Sequence, residues 1–312
     1  MKILRHPDIM NLHIDDALAY EWIRESFLQK PETYLPPKIS MKDDSTFINV
    51  MPCILHNEMK AGVKIVTRFP ERVPTLNSEI MLYDYATGNP LALLDGNYIT
   101  ALRTGAAAAL NVETLAVQNY SEIGVIGFGN ITRKTLDVLF AVMPKRKIRV
   151  KLYNYKDHFD LLCERYARYD NIEFTAVDTY EAVVENSDVI ISALTYAEDN
   201  LCADEYFKPG CLVVPVHTRG FMNCDLFFDR FVVDDVGHVQ GFKYFSEFES
   251  KMVELSAVLR GEAAGRRSSL ERVMAYSIGI AIHDVFFAGK IYEMVNGRGE
   301  VDLCPPKEKY WV

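Results

Sequence analysis

The sequence predicts an α/β protein built from two kinds of sheet, an antiparallel one followed by a parallel one. Three observations predict it. Short β-type segments follow one another between residues 46 and 94, separated by turn residues. From residue 121 onward, apolar strand-like segments alternate with helical ones, which is typical of a parallel sheet covered on both faces. Between strand and helix stands a glycine turn, Gly127-Phe128-Gly129.

Composition excludes several classes of protein. The chain has 312 residues, of which 49% are hydrophobic and 25% charged, enough for two cores. A net charge of -9 argues against a nucleic-acid partner. We expect no membrane span, because no apolar run approaches the roughly 20 residues of a bilayer helix. We expect no secretory signal, because the N-terminus has no uninterrupted apolar segment of the kind that such a signal requires. The six cysteines are scattered without metal-ligand spacing, which predicts reduced thiols in a cytoplasmic protein without a bound metal.

The first half begins with a short strand and a helix. Residues 2–4 are strand-like, and Asp15 or Asp16 begins a helix whose apolar face includes Trp22 and Phe27. Three prolines make residues 30–40 a rigid connector. Four strands are then predicted, at 47–51, 62–67, 79–85 and 91–94. Because short turns join them, these strands should form an antiparallel sheet.

A helix is predicted over residues 95–116, and it contains the string Leu102-Arg103-Thr104-Gly105-Ala106-Ala107. Small residues allow a helix to pack closely against its neighbour. Arg103 beside this patch is either a solvated helix charge or a functional cation. A domain change is placed near residue 112, where the antiparallel pattern has ended.

The second half carries the alternating pattern. Strands are predicted at 122–126, 149–154, 172–176, 189–193, 212–216 and 231–233, and helices near 131–142, 157–168, 179–185 and 203–207. Residues from 251 are predicted to be helical, with breaks at Gly261 and Gly265, and helical again over 269–294.

The glycine turn fits a dinucleotide site. Glycines admit a positive φ and let a ligand approach the backbone, and the following helix offers its N-terminal amides to a pyrophosphate. The full fingerprint has a third small residue where this chain has Thr132. With the alternation around it, the turn predicts a Rossmann-type domain that binds NAD(H) or NADP(H) through Gly127, Gly129, Asn130 and Ile131.

The ends of the other strands suggest further cofactor contacts. Asn154 ends the second strand, about 20 positions past the glycines, where an acid would select NAD(H). Asn154 carries no negative charge that would repel the 2′-phosphate of NADP(H), and Lys151 or Lys156 could attract that phosphate. The alternative is that Asn154 is a polar strand end without a role in cofactor selection. Ala193, Thr195 and the helix residue Thr104 are expected beside the cofactor.

Lys64 is the candidate functional residue of the first half. It lies in the β-type run Gly62-Val63-Lys64-Ile65-Val66. A lysine there is either an outward-facing charge or a buried functional amine, and the first is commoner.

Several strings resemble the ornithine cyclodeaminase/mu-crystallin family. They are Gly62 to Val66, Pro90-Leu91-Ala92-Leu93-Leu94-Asp95-Gly96, Thr100 to Ala107, Gly124 to Gly129, and Ser277 to Asp284. The resemblance implies a substrate-binding and dimerisation domain, residues 1–112, completed by 270–312. A Rossmann domain, residues 113–269, is inserted in it. It also implies a homodimer with its site between the domains.

The resemblance implies roles for individual residues. Arg103 matches the arginine that binds the α-carboxylate, and Lys64 matches a lysine near the substrate's reacting carbon. Asp225, in Asn223-Cys224-Asp225, matches the catalytic aspartate. Where the family has an arginine early in the sequence, this chain has Lys38, whose ammonium is a point charge and not a bidentate guanidinium. His217, where glycine is usual, is either an extra polar group or a harmless change, and Asn77 aligns near a substrate contact.

The implied function is an NAD(P)-dependent reaction at the α-carbon of an amino acid, first of all cyclodeamination of an ornithine-like substrate. The alternatives are an amino-acid or N-substituted amino-acid dehydrogenase and a reductase of cyclic imines. A ligand-binding crystallin-like protein without catalysis is the alternative of another class. The three residues Lys64, Arg103 and Asp225 together favour the enzyme.

Overall fold

A computed structural model describes residues 1–143, 145–194, 197–216, 220–295 and 301. Its strands are β1 (Lys2–Leu4), β2 (Thr33–Tyr34), β3 (Ile39–Asp43), β4 (Thr46–Leu55), β5 (Lys60–Arg68), β6 (Leu76–Asp84), β7 (Pro90–Asp95), β8 (Glu122–Ile126), β9 (Ile148–Tyr153), β10 (Ile172–Val177), β11 (Val189–Ser192), β12 (Leu212–Pro215), β13 (Arg230–Val233), β14 (Met252–Glu254) and β15 (Val273–Tyr276). Its helices are α1 (His6–Met10), α2 (Asp16–Leu28), α3 (Asn97–Leu115), α4 (Asn130–Val142), α5 (His158–Tyr166), α6 (Tyr180–Val184), α7 (Cys224–Phe227), α8 (Val236–Val239), α9 (Phe245–Phe248), α10 (Leu255–Leu259) and α11 (Ala281–Met294). None of the helices described is long and apolar enough to cross a membrane.

The chain forms two compact units. The first, called here the antiparallel unit, comprises residues 1–14, 31–100 and the segment from 281 onward. The second, the parallel unit, comprises residues 15–30 and 101–280. The limit at residue 100 falls within α3, and α2, which packs against α4, belongs to the parallel unit. The domain boundaries at 112 and 269 stay a prediction.

The antiparallel unit contains a sheet in the order β1-β7-β6-β5-β4-β2, with β3 also paired to β4. All neighbours are antiparallel except β1 and β7. Helix α11 covers one face closely: a Cβ at Gly62 of β5 would lie 2.9 Å from the Val285 side chain. The alternation of the strands therefore directs Gly62 and Lys64 toward α11 and Ile65 to the opposite face. The connector of residues 30–40 contributes β2 and the start of β3.

The parallel unit contains an eight-stranded sheet in the order β10-β9-β8-β11-β12-β15-β13-β14. Every pair is parallel. The order reverses between β8 and β11, so the crevice for a ligand lies at the carboxyl ends of these two strands. This architecture confirms the predicted fold class, an α/β protein with a Rossmann-type domain and an antiparallel sheet.

The prediction of a continuous helix over residues 269–294 was wrong. Val273–Tyr276 form β15, a fully buried strand between β12 and β13, and α11 begins only at Ala281. A four-residue apolar run shows no periodicity that separates strand from helix. The missed β14 is half-buried and, in the part of the chain that the structure describes, pairs with β13 alone.

Candidate active site

The glycine turn has the geometry of a dinucleotide site. Gly127 has φ +85°, and a Cβ there would lie 3.2 Å from the Ala193 carbonyl oxygen at the end of β11. At Gly129, the N-cap of α4, a Cβ would meet no atom of the described residues within 4 Å. The turn therefore leaves open space in front of the first amides of a thirteen-residue helix, and these residues fit a pyrophosphate.

Thr132 occupies the third position of the fingerprint. Its side chain is fully buried in the first part of α4, where the fingerprint has a smaller residue. Close packing is supplied instead by Gly105 of α3, where a Cβ would lie 2.6 Å from the Lys134 carbonyl carbon. Helix α3 therefore packs directly on α4 at Gly105, which lies two residues after Arg103. Thr104 is buried in the same stretch, and Asn130 is exposed at the start of α4.

The expected ribose-binding region contains an acid that the sequence did not reveal. The Asn154 amide donates a hydrogen bond of 3.0 Å to Asp178, which follows β10. Lys151 is directed elsewhere: its ammonium donates to the Glu185 carbonyl and lies 3.6 Å from the carboxylate of Glu122, the first residue of β8. Because Glu122 stands at the amino end of its strand, Lys151 cannot serve the ligand edge.

Arg103 is buried, with 6% of its surface exposed, which excludes a solvated helix charge. Its guanidinium lies against the backbone of Gly279, where a Cβ would be 3.0 Å from the guanidinium carbon. Gly279 follows β15 and has φ +84°. Its amide donates a 2.7 Å hydrogen bond to the buried carboxylate of Asp234, the residue after β13. A buried cation thus lies at the carboxyl edge of the parallel sheet.

Asp225 lies in the short helix α7 and is 2% exposed. It accepts a 2.6 Å hydrogen bond from the phenol of Tyr276, the last residue of β15. Burial raises the pKa of Asp225 to about 6, although the bond from Tyr276 opposes the rise. A carboxyl group with this pKa can both hold and release a proton near neutral pH.

Lys64 belongs to the antiparallel unit and is 1% exposed, so it is not an outward-facing charge. Its ammonium forms a 2.8 Å ion pair with Asp284 of α11, whose side chain is fully buried. Burial, together with the negative charge of Asp284, raises the pKa of the Cys53 thiol on β4. The lysine that sequence reasoning offered as catalytic therefore has a buried carboxylate partner.

The remaining predicted substrate contacts are less enclosed. Lys38 is exposed between β2 and β3. Asn77 is half-buried in β6, accepts a hydrogen bond from Asn97 and donates one to Glu79. His217 and Thr195 lie outside the described residues. Among the residues that are described, no cluster of His, Cys, Asp and Glu could hold a metal ion.

Sequence reasoning missed three acids and a phenol. Asp284 left a signal, since it and His283 interrupt the apolar run of α11. Asp234 directly follows an apolar strand, where ligand-edge residues are expected. Asp178 likewise follows β10. Tyr276 left no signal, because β15 had been assigned to a helix.

The fold and the turn define a protein class, that of two-unit α/β proteins with a Rossmann-type nucleotide site. The model of the ornithine cyclodeaminase/mu-crystallin family matches residues 3–299. The chain belongs to this family, as the sequence resemblance predicted.

Individual relatives cover nearly the whole chain. A Δ1-pyrroline-2-carboxylate reductase of Bacillus cereus is 26% identical over 309 residues, covering 92% of this chain and 94% of the relative. The structure of the Thermococcus litoralis Δ1-pyrroline-2-carboxylate reductase with NADH and L-proline is similar, with a TM-score of 0.84, 26% identity and coverage of 94% and 97%. An archaeal alanine dehydrogenase dimer with bound NAD has a TM-score of 0.82, 24% identity and coverage of 94% and 95%, and supports the fold.

Proposed function

We propose that this protein is an NAD(H)-dependent enzyme that interconverts a cyclic α-imino acid and the corresponding amino acid, by reducing or re-forming a C=N bond. One observation carries the proposal: Arg103 is a buried guanidinium at the carboxyl edge of the parallel sheet, on a helix that packs against the dinucleotide-binding helix α4. A guanidinium there suits the bidentate binding of an α-carboxylate.

The comparisons support this choice of reaction. The relatives at 26% identity that match along more than nine-tenths of this chain include Δ1-pyrroline-2-carboxylate reductases, one of them solved with NADH and L-proline. Their named substrate carries a carboxylate beside a C=N bond, so a carboxylate-binding arginine close to a nicotinamide site is the arrangement that the reaction requires.

The chemistry assigns distinct tasks to this chain's residues. When bound, the nicotinamide supplies the hydride to the imine carbon or accepts it back. The imine nitrogen must gain a proton in the reductive direction. Asp225, whose pKa is raised to about 6 by burial, is our candidate for the proton donor, and Tyr276 orients its carboxyl group. Arg103 holds the substrate carboxylate and fixes the orientation of the ring.

NAD(H) is proposed as the preferred cofactor over NADP(H). Asn154 is hydrogen-bonded to Asp178, so a carboxylate stands next to the residue that follows β9. A negative charge there repels a 2′-phosphate and can accept a ribose hydroxyl. Lys151 pairs with Glu122 and is therefore not available to bind a 2′-phosphate. Of the two lysines predicted as possible phosphate contacts, this leaves Lys156.

Lys64 is proposed to act in the antiparallel unit as a cation whose position Asp284 fixes at 2.8 Å. Contacts of Lys38, Asn77 and His217 with the substrate remain predictions from the family resemblance, as do those of Thr104, Asn130, Ile131, Ala193 and Thr195 with the cofactor.

A homodimer is proposed from the face of the antiparallel sheet that lies opposite to α11, as judged from the described residues. Ile39, Val50 and Ile65 are cross-strand neighbours in register, and they lie on the face opposite to α11. Ile39 is 60% exposed and Ile65 is 37% exposed. A contiguous apolar sheet face of this kind is typical of an association surface.

Cyclodeamination of an ornithine-like amino acid, which the sequence predicted first, is the second candidate, because the family that matches takes its name from that activity. The two reactions differ in their balance of NADH. Imine reduction consumes NADH, whereas cyclodeamination releases ammonia and returns the hydride, so that no net NADH is used.

The deciding experiment follows NADH absorbance with Δ1-pyrroline-2-carboxylate and its six-membered analogue, and follows ammonia release with ornithine, lysine and alanine. Net oxidation of NADH by a cyclic imine is the expected result. Ammonia and proline from ornithine without net NADH would replace this proposal by cyclodeamination. Binding of NADH without turnover of any substrate would favour a crystallin-like ligand-binding role.

A further inference from the structure

Arg103 is held on a surface made by two neighbouring strands of the parallel sheet. Val233 at the end of β13 pairs with Tyr276 at the end of β15, so the residues that follow these strands lie close together. Asp234 follows β13, and Gly279 follows β15. The Arg103 guanidinium rests on Gly279, whose amide donates to the Asp234 carboxylate at 2.7 Å.

Position 279 favours glycine. A Cβ at position 279 would be 3.0 Å from the central carbon and 3.1 Å from one terminal nitrogen of Arg103. The backbone there has φ +84°, which is costly for any other residue. The guanidinium therefore lies against the backbone at Gly279, whose amide is hydrogen-bonded to Asp234.

Asp234 is buried in the protein and lies near several charged side chains. It is 2% exposed, and burial raises its pKa to about 6, while the Gly279 amide and the positive charges of Arg103, His238 and Lys30 oppose the rise. The adjacent Asp235 has other partners: it accepts from His238 at 3.0 Å and pairs with Lys30 at 2.8 Å. Asp234 thus serves Gly279 and Arg103. Its neighbour Asp235 binds α8 and the segment that follows α2.

We propose that Asp234 is a positioning residue for carboxylate binding, acting through the Gly279 backbone and the Arg103 guanidinium. Its carboxylate holds the Gly279 amide and supplies a negative charge close to Arg103, which keeps the guanidinium in one orientation. This inference rests on the proposed role of Arg103 in binding the substrate carboxylate.

The test compares Asp234→Asn with Asp235→Asn as its matched control. Asparagine keeps a carbonyl for the Gly279 amide and removes the charge. With saturating NADH, we expect Asp234→Asn to raise KM for the cyclic imine about tenfold, the effect of losing one charged contact, while kcat and the Kd of NADH change little. Asp235→Asn should leave KM as in the wild type. Gly279→Ala, which pushes the guanidinium away, should raise KM in the same way as Asp234→Asn.

A double-variant comparison separates positioning from general stability. In an Arg103→Lys background, Asp234→Asn should add little to KM, because the residue acts through the guanidinium. An equal increase in both backgrounds, or a fall in Tm without a change in KM, would overturn the proposal.

A crystal structure of Asp234→Asn covers the case in which the wild-type protein turns over no cyclic imine. That result would refute the proposed function alone. A reoriented guanidinium would support the positioning role, and an unmoved one would refute it.

Discussion

The buried pair of Lys64 and Asp284 gives a prediction whose size follows from its surroundings. The two side chains are 1% and 0% exposed, and their charged atoms are 2.8 Å apart. Replacing Lys64 by Met removes the ammonium and leaves the carboxylate of Asp284 in the interior. Loss of one member of such a pair costs about 3–5 kcal/mol. We expect Asp284→Leu to cost a similar amount.

The chain offers a matched control on the same two elements. Lys60, also on β5, pairs with Glu293, also on α11, at 2.6 Å, but the Glu293 side chain is 53% exposed. Lys60→Met should therefore cost no more than about 1 kcal/mol. The double variant Lys64→Met/Asp284→Leu should recover most of the loss, since replacing a buried ion pair by apolar side chains is often neutral or stabilising.

Hydrogen exchange measured peptide by peptide is the appropriate assay, because it reports on β5 and α11 separately from the parallel unit. A loss of about 3–5 kcal/mol lowers the protection of these segments by roughly two to three and a half powers of ten. If Lys64→Met exchanges no faster than Lys60→Met, the pair does not stabilise the unit. If the double variant loses the sum of the single losses, the two residues act independently.

Three further predictions concern Asp225, the glycine turn and the sheet face. The pKa of Asp225 is raised to about 6 from 3.8, so the folded state binds its proton more tightly than the unfolded state and stability falls as pH rises through about 4–6. Asp225→Asn should abolish turnover and keep NADH binding. It should add up to roughly 3 kcal/mol of stability at pH 8 but less than about 1 kcal/mol at pH 4. Urea unfolding at both pH values checks this, and equal effects at both would contradict it. Gly127→Ala should lower Tm, because the backbone at Gly127 has φ +85°. Gly129→Ala should keep the wild-type Tm and weaken the binding of NADH measured by calorimetry. An unchanged affinity of Gly129→Ala for NADH would show that Gly129 is not part of the site. Ile65→Asp should convert a dimer to a monomer in light scattering, while the control Leu270→Asp, at a 70% exposed position of the parallel unit, should not.

The fold can be predicted from the sequence because local patterns of residues encode it. The glycine turn, the continuous apolar strands and the alternation with helices each follow from backbone and burial requirements that act within about 20 residues. The family strings around Gly62 and Arg103 added the class of reaction. The prediction failed at β15, where four apolar residues owe their strand conformation to β12 and β13 on either side.

The sequence alone determined which residues carry charge: Lys64 within an apolar strand, Arg103 within a helix of small residues, and Asp225 after the fifth parallel strand. Only the tertiary structure decided what those charges meet. Asp284 contacts Lys64 although 220 positions separate them in the sequence, and Tyr276 contacts Asp225 from 51 positions away. The backbone of Gly279 lies against Arg103. Burial and pKa depend on partners that are close in space and distant in the chain, so no local pattern contains them.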